Sequence, residues 1–88
     1  MSVTHTLRVY VSPYCIGCAE AVALAETMAL RFPSVRVEVI DVLQPEAALP
    51  AEVFATPTFV WNGKIYSLGN PARDRLAQMI AAELGQTG

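Results

Sequence analysis

This chain has little of what ties proteins to nucleic acids, metals or membranes. Lys and Arg number six in 88 residues, against eight Asp and Glu, for a formal net charge of −2. Phosphate binding rests on several cationic residues acting together, and no basic cluster is present, so no nucleic-acid partner is expected. There is one histidine, His5, and there are two cysteines, Cys15 and Cys18. Structural zinc takes about four ligands, so one chain is expected to hold no metal. A site shared between two chains, with paired Cys-x-x-Cys motifs on zinc or an iron–sulfur cluster, stays open as an alternative. No apolar run reaches the ~18 residues of a membrane span. Residues 1–8 carry no basic segment followed by an apolar stretch, so neither a secretory leader nor a membrane partner is expected and the cytoplasm is the simplest setting.

What is plentiful is apolar residue. Hydrophobic side chains make up 53% of the sequence, and the mean hydropathy is +0.39. Disordered chains are poor in such residues and rich in charge, so a packed core is expected. At this length residues 1–88 form one domain, without linker, repeat or low-complexity segment.

The pattern along the chain alternates strands and helices. Leu7, Val9 and Val11 alternate with Arg8 and Tyr10 and predict a first strand over 7–11. From about Cys15 to Phe32 the chain is rich in Ala and Leu and has no internal proline. Cys18, Val22, Ala25, Ala29 and Phe32 recur there at helical spacing, with Glu20, Thr27 and Arg31 as a wet stripe. Pro33 ends that helix, because the residue before a proline is pushed out of the helical region. Residues 35–42 read as a second strand, and 44–54, interrupted by Pro45 and Pro50, as short helical pieces. Thr58 to Trp61 and Lys64 to Leu68 flank Asn62-Gly63, the strongest two-residue hairpin signal. Asn70-Pro71 reads as an N-cap followed by proline at the first helical position, with Leu76, Met79, Ile80 and Leu84 on the apolar face of a last helix and Gly85 ending it. The order β-α-β-α-β-β-α implies a parallel, right-handed first pair and an antiparallel hairpin. The expected fold is an α/β, four-stranded mixed sheet with helices on both faces.

The chemistry concentrates at Cys15-Ile16-Gly17-Cys18. Cys15 falls where the first strand hands over to the first helix, whose N-terminal N–H groups and partial positive charge favour an anion. Thiols in that setting drop from a pKa of about 8.5 toward 3.5–7.5. Cys18, nearly one turn on, is within reach but less exposed. The pair suits an attacking thiol, Cys15, and a resolving thiol, Cys18. A structural staple is disfavoured, since so short a loop constrains the unfolded chain little. Gly17 keeps the turn slim, and Ile16 offers an apolar rim to a partner. Among the other polar and aromatic residues, His5 reads as an exposed N-terminal residue and Lys64 as a solvated hairpin residue. Asp41 reads as a loop cap or a proton relay, and Trp61 and Tyr66 as a packed pair or an exposed surface.

Cys15-Ile16-Gly17-Cys18 after a first strand, with Ala55-Thr56-Pro57-Thr58 before the third, resembles the thioredoxin/glutaredoxin family. That resemblance covers essentially the whole chain in its short, glutaredoxin-sized form. It implies a thioredoxin-like fold and a protein-disulfide oxidoreductase that needs no cofactor. Pro57 would be a cis-proline packed against the disulfide, and Thr56 the residue whose backbone pairs with an extended substrate. Tyr14 stands where thioredoxins carry tryptophan, which adds it to the substrate-binding residues with Ile16, Thr56 and Pro57. Val9 stands where they carry a buried aspartate. Implied partners are protein disulfides and a reductase; glutathione is left open, because Asn70-Pro71-Ala72 follows Gly69 where glutaredoxins place an acidic residue. The chain is expected to act as a monomer. Val39 to Leu43 and Asn70 to Arg75 are also similar to the KaiB-like clock proteins, which share the fold, bind protein partners and do no redox chemistry. The intact Cys-x-x-Cys favours catalysis over that binding-module alternative.

Overall fold

The computed structural model of the protein describes residues 4–44, 47, 49–50, 53 and 55–85. Its strands and helices run in the order β1 (His5–Val11), α1 (Cys18–Arg31), β2 (Val35–Asp41), β3 (Thr58–Trp61), β4 (Lys64–Leu68) and α2 (Arg73–Glu83). The sheet has four strands in the order β2-β1-β3-β4. β1 and β2 pair in parallel from His5 opposite Val35 to Val11 opposite Asp41. β3 is antiparallel to both β1 and β4. The thioredoxin-like fold expected from the sequence is the observed one.

Alternation decides which residues of the two central strands meet the helices. Leu7 lies opposite Trp61 and Val9 opposite Phe59, so these side chains share one face. They join Ala21, Ala25 and Met28 of α1 and Leu76, Ala77 and Ile80 of α2 in a single buried cluster. Both described helices therefore cover the same face of the sheet. The other face carries Arg8, Tyr10 and Val60, and the remaining helical contribution expected from the sequence is the short pieces of 44–54. That segment falls partly on residues 45, 46, 48, 51, 52 and 54, outside the described ones; its described part forms single i→i+3 turns, Ala47 N–H to Gln44 O and Val53 N–H to Pro50 O, each 3.0 Å.

α1 follows from an Ala-rich sequence of strong helix formers, with Glu20 in the first turn and Arg31 in the last to complement its dipole. Its buried stripe is Cys18, Ala21, Leu24, Ala25 and Met28, continued by Phe32. Val22 and Ala29, expected on that stripe, lie roughly 70–90° from its centre at ~100° per residue. Ala29 is exposed and Val22 half-buried. The helix also begins three residues later than the composition suggested, because Gly17 at its N-cap has φ 93° and breaks the helical path.

The hairpin is as expected: Asn62 (φ 50°) and Gly63 (φ 84°) supply the two positive dihedrals of a type I′ turn. Trp61 is buried and faces Lys64, while a register shift between Phe59 and Val60 leaves Tyr66 half-buried and out of line with Trp61. His5 is half-buried, stacked on Trp61 with ring centroids 5.4 Å apart. Asp41 acts as a loop cap, its Oδ1 accepting the Leu43 N–H at 2.9 Å.

Candidate dithiol–disulfide site

Cys15 and Cys18 form a disulfide across Cα atoms 5.4 Å apart. Neither alone would say much; their surroundings are unequal. Cys18 is the first residue of α1, and only 5% exposed within the core cluster. Cys15 sits in the turn between β1 and α1, half-buried, its side chain packed on the edge of that cluster. On either side of it Tyr14 is 87% and Ile16 99% exposed. An apolar side chain held that far into water binds nothing within the chain. The sulfur pair thus lies on a projecting edge with an apolar rim, the accessible thiol outward and the protected thiol inward.

The backbone places the rest of the site. The Thr56–Pro57 peptide is cis, as the resemblance implied. Pro57 is buried and Thr56 half-buried. Thr58 Oγ1 donates to Ala55 O at 2.6 Å and closes the turn around them. Pro57 O accepts the N–H of Gly69 at 2.8 Å, at the end of β4. One residue further, Asn70 donates from Nδ2 to Gly17 O at 2.9 Å, between the two cysteines. Gly69 and Asn70 therefore stitch the Pro57 turn to the cysteine loop.

Asn70 corrects one expectation. It does not cap the last helix: α2 starts at Arg73 with Ala72 at its N-cap and no side-chain capping bond. Two prolyl and alanyl residues separate Asn70 from the helix, and its amide has gone to the cysteine loop instead. Spacing alone offered no hint of this, since the partner lies 53 residues away in sequence. Val9, where the related family has an aspartate, is fully buried among apolar side chains. No three His, Cys, Asp or Glu side chains come together among the described residues.

A disulfide at a strand-to-helix junction, with one sulfur buried in the core and the other beside an exposed apolar rim, suits thiol–disulfide exchange. Comparison with known proteins agrees. The Thioredoxin domain family matches residues 5–81. The chain belongs to that family. A thioredoxin of Methanocaldococcus jannaschii is 32% identical over 80 residues, covering 89% of this chain and 94% of its own. Among solved structures, the thioredoxin of Fasciola hepatica superposes with a TM-score of 0.70 at 25% identity, over 90% of this chain and 80% of that one. The germline-specific thioredoxin Deadhead of Drosophila melanogaster gives the same TM-score, 0.70, and the same coverage of 90% and 80%, at 21% identity, which speaks to the fold. The chain is a thioredoxin-family thiol–disulfide oxidoreductase with Cys15 and Cys18 as its redox pair. Membership of the Thioredoxin domain family, together with the Cys15–Cys18 disulfide, decides against the KaiB-like binding module.

Proposed function

We propose that this thioredoxin-family protein reduces disulfides in other proteins, with Cys15 as the attacking thiol and Cys18 as the resolving thiol. The Cys15 thiolate attacks one sulfur of a client disulfide, forming a mixed disulfide and expelling the client's other sulfur as thiolate. Cys18, losing its proton, then attacks the Cys15 sulfur. The client leaves as a dithiol, and the Cys15–Cys18 disulfide remains. A dithiol reductase returns two electrons to that pair in the next cycle.

The observation that carries the assignment is the difference in exposure: Cys18 is 5% exposed inside α1's first turn, while Cys15 lies in the turn before it, next to the helix's positive end. A protein client is favoured by the apolar rim of Tyr14 and Ile16, which a large, partly apolar partner would cover. Thr56 and Pro57 are the segment against which an extended client backbone would lie. The protein works in this reading as a cytoplasmic monomer without a cofactor.

Trapping tests it. Cys18→Ser should accumulate mixed disulfides with client proteins through Cys15, and Cys15→Ser should accumulate none. In the reduced wild type, iodoacetamide at mildly acid pH should modify Cys15 first. Faster labelling of Cys18, or trapping by the Cys15 variant alone, would reverse the roles.

A further inference from the structure

Asn70 makes two commitments that a loop residue does not need for folding alone. Its amide nitrogen donates to Gly17 O, a carbonyl that already accepts the Ala21 N–H at 3.0 Å, the first intrahelical bond of α1. Both lone pairs of that carbonyl are thereby used. Gly17 stands at φ 93° with no side-chain cap of its own, between the two sulfurs. The restraint comes from across the fold, from a segment that Gly69 fixes to Pro57 and that Ser67 Oγ braces by donating to Gly69 O at 2.9 Å.

The second commitment is the other end of the same amide. Asn70 Oδ1 is buried and meets no hydrogen-bond donor among the described residues. A buried acceptor without a donor destabilises the state in which it is left so. That state is the disulfide form.

Reduction changes both terms. Two electrons from a dithiol donor break the Cys15–Cys18 bond; Cys15 is left as thiolate, and Cys18 takes up one proton as S–H. Cys18, the residue after the Gly17 carbonyl that Asn70 holds, then carries a new hydrogen-bond donor. It also contains an anion that is stabilised when the first N–H groups of α1 are held in place. We propose that Asn70 is a positioning residue for the redox pair: its amide nitrogen fixes the cysteine loop on the end of α1, and its spare oxygen favours the dithiol form over the disulfide. The protein is thereby a stronger oxidant than the same fold without Asn70. This rests on the assignment of Cys15 and Cys18 as the exchanging pair.

The test is the equilibrium of the Cys15–Cys18 pair with glutathione buffers, measured for the wild type, Asn70→Ala and Asn70→Asp. Asn70→Asp keeps the size, removes the donor and sets a carboxylate near the nascent thiolate. Both variants should hold their disulfide at least tenfold more strongly, about 30 mV more negative. The pH profile of thiolate absorbance near 240 nm should move upward with it. A purely structural role would lower the thermal stability of the disulfide and dithiol forms alike and leave the potential in place. Potentials of both variants within twofold of the wild-type equilibrium would overturn the proposal while leaving the cysteine assignment intact. A wild type that does not equilibrate with glutathione or dithiothreitol at all would overturn the assignment, and the proposal with it.

Discussion

Adding one methyl group at Gly17 should separate the backbone strain of the cysteine loop from its contact with Asn70. Gly17 has φ 93° and ψ −9°, a left-handed conformation that costs an L residue about 1–2 kcal/mol. A Cβ built there would stand 3.2 Å from Asn70 Nδ2, so the amide must retreat by a few tenths of an ångström. Its bond to Gly17 O, now 2.9 Å, would stretch toward the edge of useful geometry. A hydrogen bond of this kind is worth about 0.5–1.5 kcal/mol net. Against this, alanine stiffens the unfolded chain and returns about 0.4–1 kcal/mol. Gly17→Ala should therefore destabilise the disulfide form by about 0.5–3 kcal/mol. Gly63→Ala is the control, because Gly63 has a similar φ of 84° but no atom within 4 Å of the added Cβ. The excess of the Gly17 variant over the Gly63 variant isolates the Asn70 contact, expected at about 0.5–1.5 kcal/mol. Urea unfolding of the oxidised proteins, followed by the fluorescence of Trp61, the single and buried tryptophan, supplies both values. Equal losses in the two variants, within about 0.3 kcal/mol, would refute the reasoning that Asn70 grips this loop.

Three further outcomes follow from other parts of the molecule. Glu38 accepts from Arg8 Nε at 2.8 Å and lies 3.0 Å from Arg36 Nε, and the Arg8 hydrogen bond foremost holds its carboxyl below the ordinary glutamate range. A depressed folded pKa contributes stability that is present above the unfolded value, about 4.3, and is lost as pH falls through the folded one. Glu38→Gln should flatten the acid limb of stability below that pH, with a loss at neutral pH of no more than ~1 kcal/mol, since the pair is partly exposed and screened by salt. An unchanged acid limb in guanidine or thermal unfolding would remove Glu38 from the pH dependence. Trp61 donates from Nε1 to Glu83 Oε1 at 3.0 Å, tying β3 to the end of α2. Trp61→Phe should cost about 1.5–3 kcal/mol in denaturant unfolding, as for other bonds to charged groups, and a loss below about 0.5 kcal/mol would show that bond to be idle. Reduced protein purified from cells should carry far less than one zinc or iron per chain by elemental analysis, because two thiolates leave a tetrahedral site half made; one metal per pair of chains would instead support a shared site.

The succession of strands and helices along the chain, the hairpin and the cysteine chemistry were legible in the sequence because each is local. Alternation over Leu7 to Val11 sets one face of a strand whatever surrounds it. Asn62-Gly63 accepts positive φ at both positions with little cost. A separation of three positions between Cys15 and Cys18 puts two sulfurs within one turn. The resemblance carried by Ala55-Thr56-Pro57-Thr58 extended this to the cis peptide. Tertiary structure decided what depends on residues far apart in the chain. The stripe of α1 that faces the sheet includes Ala21, Leu24 and Met28 and leaves Ala29 in water, because the packing partner, not composition, sets a helix's rotation. Both described helices share one face of the sheet because Leu7, Val9, Phe59 and Trp61 gather there. Asn70 reads locally as a helix cap, a role open to any Asn before a Pro. Only the folded chain brings Gly17 O within 2.9 Å of it, and a strong carbonyl acceptor beside the amide outcompetes a helix that starts three residues later.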